Sequence, residues 1–132
     1  LVLPTPLSAT VWAHVHREAP YEACGLLLGR GQTVHAVRPC RNVEASPHRY
    51  QIDPGDHFAA IREARAAALA VIGAYHSHPH GVAEPSPSDR ATAFGAFVFV
   101  IAGGAPDLAP HARLRAWVWR EEDFHELPIL DT

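Results

Sequence analysis

Runs of lysine and arginine are missing from this chain. With a formal net charge of -3 over 132 residues and no cluster of lysine or arginine, it carries no electrostatic footprint for DNA, RNA or an anionic membrane. No nucleic-acid partner is expected. No apolar run approaches the ~20 residues that span a bilayer, and Leu1-Val2-Leu3-Pro4 lacks the charged and apolar regions of a secretory signal. The expected location is cytoplasmic, with no membrane partner. Cysteine is scarce as well: Cys24 and Cys40 are the only two and do not form a Cys-x-x-Cys pair, so neither a disulfide framework nor a structural zinc knuckle is expected.

What is present is an ordinary globular composition, 48% hydrophobic and 19% charged. It suffices for one packed domain over residues 1–132, with no metal or disulfide needed to fold it. Any metal would therefore serve chemistry. Ten histidines stand out, although composition selects none of them.

The patterning interleaves helices and strands. Ser8 is placed to cap a helix over 9–18, with Val11, Trp12 and Val15 on one stripe and Pro20 closing it. Residues 23–29 and 33–37 read as a hairpin. That pairing puts Cys24 and Cys40 a few residues out of register, disfavours a bond between them and leaves both as buried thiols. Residues 49–52 read as a short strand, and Asp53-Pro54-Gly55-Asp56 opens a second helix to about Leu69. Residues 70–75 form an apolar strand leading into His76-Ser77-His78-Pro79. Ser86-Pro87-Ser88-Asp89 reads as the start of a third helix. Strands at 97–102, 114–119 and 124–127 complete an α/β chain of α+β type around one mixed sheet.

On an extended segment, residues two apart face the same side, so His76 and His78 can reach one ion while Ser77 faces away. Neutral imidazoles suit zinc, and a catalytic zinc usually takes three protein ligands. Asp89 can be the third if the chain returns after the loop. It is equally a good residue for a helix N-terminus, with Ser86 as cap and Pro87 first. Ser86 can serve twice: its hydroxyl can accept a helix amide and still donate to a substrate oxygen, as an oxyanion donor does.

These residues resemble a known family. His76-Ser77-His78-Pro79, six residues, then Ser86-Pro87-Ser88-Asp89 is similar to the JAMM motif of MPN-domain metalloproteases, including Pro85 before the serine. Glu22-Ala23-Cys24-Gly25-Leu26-Leu27-Leu28-Gly29 resembles the strand bearing that family's catalytic glutamate. The resemblance implies a single MPN/JAMM (cytidine-deaminase-like) domain, a curved mixed sheet flanked by about three helices. It further implies one Zn2+ held by His76, His78 and Asp89, with Glu22 as general base and Ser86 stabilising the oxyanion in amide hydrolysis. Cys24 could share a face with Glu22, yet a buried core thiol is the better reading of it. His80 adjoins the motif and could touch substrate, whereas a solvated loop position is its plainer reading.

Small bacterial members of the family, which this chain is most similar to, imply a ubiquitin-like or sulfur-carrier protein as substrate, cut after its C-terminal Gly-Gly tail. Arg41-Asn42-Val43-Glu44-Ala45-Ser46-Pro47 carries part of that likeness. An extended tail could add along a strand edge. Two other readings stay open: a RadC-like DNA-repair-associated protein, against which the acidic balance weighs, and a non-catalytic MPN scaffold, against which the complete ligand set weighs. Exposed edge strands with Trp117 or Trp119 could form a homodimer; core packing explains those tryptophans equally well.

Overall fold

In the computed structural model, which describes residues 1–93 and 95–131, one six-stranded mixed sheet is built in the order β2-β1-β3-β4-β5-β6. The strands are β1 (Cys24–Arg30), β2 (Thr33–Cys40), β3 (Ala70–His78), β4 (Val98–Gly103), β5 (Leu114–Arg120) and β6 (Asp123–Leu127). Only β3 and β4 pair in parallel, and the crossover between them carries the short helix α3 (Pro87–Thr92). The other neighbours are antiparallel. Val2 bridges both Thr33 at the start of β2 and Leu130 beyond β6, so the terminal segments draw the two edges of the curved sheet together.

Each face of the sheet is covered by one helix, because alternate residues of the central strands point to opposite sides. On one side α1 (Thr5–Glu18) lays Val11 and Val15 against Leu27, Tyr75, Val98 and Val100. On the other, α2 (Pro54–Ala66) sets Ala60 and Ala64 against Leu26, Leu28, Cys40 and Ala74. Small residues on α2 let it lie close to the sheet. His76 follows Ala74 by two residues and therefore opens on the α2 side; Ser77 follows Tyr75 by two and faces α1.

Several local expectations need correction. Helix α1 begins at Thr5, not Ala9, and has no side-chain cap; the Ser8 hydroxyl instead donates to the Thr5 carbonyl at 3.0 Å. Pro6 lies in the first turn, where a missing N–H costs nothing, and Asp131 accepts from both the amide and the hydroxyl of Thr5, each at 2.7 Å. Residues 49–52 form no strand beyond a single bridge between Asn42 and Ile52. Helix α2 stops at Ala66 because Ala68 turns to φ +57°.

The cysteines are the fourth correction, since Cys24 pairs directly with Cys40. Arg30 meets Thr33 at the turn, and between Leu28↔Ala36 and Gly29↔Val34 the ladder takes in His35 as an extra residue, a β-bulge that brings the cysteines level. Both are nonetheless free and buried, and burial pushes their thiols up to about 12 and about 11.

Candidate active site

Strand β3 continues through His76 and His78, and this extension, longer than sequence patterning marks, places both imidazoles on the α2 side at the strand's C-terminal end. The next element in sequence returns to the same place. Ser86 caps α3 by accepting from the Asp89 amide at 3.2 Å, while the Asp89 carboxylate accepts from the Ser86 amide at 2.8 Å, closing a capping box. The box turns Asp89 toward the histidines. Its carboxylate lies 3.1 Å from His76 Nε2 and 3.2 Å from His78 Nε2, and the two Nε2 atoms are 3.1 Å apart. Asp89 is thus both helix-terminal residue and member of the cluster.

Could these three hold a metal ion? Among the described residues they are the one His/Cys/Asp/Glu group whose ligand atoms lie close enough, all within 4.8 Å of one another. His78 Nδ1 donates to the Val82 carbonyl at 2.9 Å, which fixes the proton on Nδ1 and leaves Nε2 of the neutral ring a bare lone pair facing Asp89. An acceptor nitrogen against a carboxylate calls for a proton or a cation between them. The donor set fits a cation.

The charges tell the same story. Burial alone would raise the Asp89 carboxyl, yet hydrogen bonds to both histidines and the Ser86 amide hold it well below the usual carboxylate range. Burial lowers His76, which is 1% exposed, against the pull of Asp89. His78 loses to burial but gains more from Asp89 and the Val82 carbonyl, so it is raised.

Glu22 lies two residues before the start of β1, and Cys24 pairs with His76, so the antiparallel direction carries Glu22 past His76 toward His78. The anchor is Ser77, whose hydroxyl accepts the Ala23 amide at 2.8 Å while its own amide donates to the Ala23 carbonyl at 3.0 Å. Asn42 Nδ2 donates to the Glu22 carbonyl at 3.2 Å. The side chain is only 4% exposed, and burial pushes its carboxyl up to about 7, with Asp89 adding to the rise and His78 opposing it. A carboxylate at this value is suited to accept and return a proton near neutrality.

These groups open on a cleft of about 470 Å³ whose lining includes Glu22, His78, Ser86, Pro47, His48 and His80. Its outer wall, residues 79–85, is held from behind by Trp117 Nε1 donating to the Ala83 carbonyl at 3.0 Å and by Arg115 bound to Glu84 at 3.0 Å. Gly104 lies so close to the Pro79 carbonyl that no side chain fits there. Glu84 also lines the cleft but is neutralised by Arg115, and Glu18 lies near His14 on the α1 side. Cys24 is no member of the cluster. Pro47 ends the stretch that carries part of the family likeness, whereas nothing in the sequence marks His48 as a cleft residue. Tyr50, expected in a strand over 49–52, instead lies in irregular chain and stacks on His76 with ring centroids 4.4 Å apart.

A curved mixed sheet with a helix on each face, bearing a two-histidine, one-carboxylate cluster beside a buried glutamate, defines a class of α+β domain with a candidate metal site. Residues 4–120 match the family model for prokaryotic homologs of the JAB domain, and the chain belongs to that family. It is 33% identical over 116 residues to "Desampylase" of Haloferax volcanii, covering 85% of this chain and 79% of that one. It is 39% identical over 104 residues to "Probable TtuB-protein conjugate cleaving protease" of Thermus thermophilus, covering 78% and 70%. A solution structure of a Desulfitobacterium hafniense protein superposes with a TM-score of 0.86 at 27% identity, covering 98% of this chain and 90% of that one.

Proposed function

We propose that this JAMM-type peptidase hydrolyses the amide bond that follows the C-terminal Gly-Gly tail of a ubiquitin-like or sulfur-carrier protein, using one zinc ion. The observation that carries the reading is the meeting of buried Glu22 with the His76–His78–Asp89 cluster, Glu22 and His78 both lining an open cleft. The Thermus relative's name, a conjugate cleaving protease, and the desampylase name of the Haloferax relative support the substrate class.

His76, His78 and Asp89 would hold the zinc, which when bound supplies Lewis acidity and lowers the pKa of water toward ~7. The remaining work falls to the chain. Glu22 accepts a proton from the attacking water and afterwards returns it to the leaving amine. Ser86 keeps its hydroxyl oxygen on the Asp89 amide and turns its proton toward the substrate carbonyl, where negative charge gathers. The wall at 79–85 on one side and Pro47-His48 on the other confine an extended tail, and glycines suit so narrow an approach. Buried free thiols at Cys24 and Cys40 accord with the reducing cytoplasm.

The test is to incubate the zinc-loaded protein with sulfur-carrier proteins bearing C-terminal extensions and to follow product mass. A product ending in free Gly-Gly, abolished by a chelator, is expected. Intact extensions across a panel of such carriers would overturn the substrate assignment.

A further inference from the structure

We infer that Tyr50 is a positioning residue for His76, setting the plane of that imidazole by stacking on its face, in the place where His78 uses a hydrogen bond. The inference rests on the metal-site reading above.

The two histidines are held by different means. His78 has its Nδ1 tied to the Val82 carbonyl at 2.9 Å, which fixes both its tautomer and its rotation. His76 has no such tie: among the described residues its buried Nδ1 has no hydrogen-bond partner. A metal-binding histidine usually has its second nitrogen anchored, and loss of that anchor typically weakens metal binding by about 10–100-fold. What lies against His76 instead is the ring of Tyr50, near parallel at 22° and 4.4 Å between centroids. Rotation of the imidazole about its Cβ–Cγ bond would drive its edge into the phenol ring, so the stack opposes the motion that the missing hydrogen bond leaves open.

Tyr50 also closes the rear of the site. It lines two grooves that share no lining residue with the cleft, one with Ser88, Asp89 and Thr92, the other with Leu26, Ile52 and Ala74. The phenol therefore stands between His76 and water on that side. Removing the ring would admit water to His76 and free the imidazole to turn, and both changes favour release of an ion. The face of the ring performs both tasks, so the hydroxyl is dispensable.

The experiment compares zinc dissociation constants of wild type, Tyr50→Phe and Tyr50→Leu, by competition with a chromophoric chelator, and the visible spectra of their cobalt(II) forms. Phe keeps the stack and should bind zinc as wild type does. Leu should bind about 10–100-fold more weakly and shift the cobalt spectrum. Tyr50→Met, also ring-free, takes its place if Leu does not fold. A merely structural role would lower the thermal stability of the metal-free variant and leave zinc affinity and the cobalt spectrum unchanged; that result overturns the inference while the metal site stands. A folded wild type that binds no zinc overturns both.

Discussion

Replacing Glu22 by Gln should stabilise the metal-free protein at alkaline pH, although it removes the proposed base. In the folded chain burial raises this carboxyl to about 7, and in the unfolded chain it titrates near its ordinary value of 4.5. Between those values the folded state keeps a proton that the unfolded chain releases. Stability therefore falls as pH rises through the window, by about 3 kcal/mol once Glu22 is fully ionised. A neutral amide of the same shape escapes that cost. Urea unfolding in the presence of a chelator should thus give Glu22→Gln and wild type similar stability at pH 4, where the carboxyl is protonated in both states. At pH 8.5 the variant should be more stable by up to about 3 kcal/mol. A difference independent of pH, or a variant less stable at pH 8.5, would refute the assignment of Glu22 as a buried, uncompensated carboxylate.

Three further outcomes follow from the geometry. Glu22→Ala should retain bound zinc by metal analysis and lose hydrolysis, since the glutamate lies beside the cluster and outside it; activity equal to wild type would remove it as base. Ser86→Ala should lower kcat by about 10²–10³-fold while loss of the α3 cap costs only about 1 kcal/mol in unfolding measurements. An effect on stability alone would leave Ser86 a cap residue. Gly25→Ala places a methyl group against the Tyr75 ring in the centre of the sheet and should destabilise by roughly 1–3 kcal/mol in urea unfolding, with His76, His78 and Asp89 themselves unchanged.

Much of the site was legible in sequence because local rules carried it. Two-residue alternation placed His76 and His78 together and turned Ser77 away, and the Ser-Pro-Ser-Asp run fixed the start of α3. The two readings of Asp89 do not compete, since the capping box is what aims its carboxylate at the imidazoles. Less legible were features set by long-range pairing. The bulge at His35 that aligns Cys24 with Cys40 leaves no mark in the pattern of apolar residues. The segment 41–53 is irregular, so nothing in its periodicity tells that Tyr50 lies on His76 or that His48 reaches the cleft. The start of α1 likewise depends on Asp131, more than a hundred residues away.

The most direct test is zinc stoichiometry. Folded, chelator-stripped protein should take up one zinc per chain in equilibrium dialysis, and His78→Ala, folded to the same extent, should take up none. A well-folded wild type that binds no zinc, or a His78→Ala variant that binds it as tightly, would contradict the account.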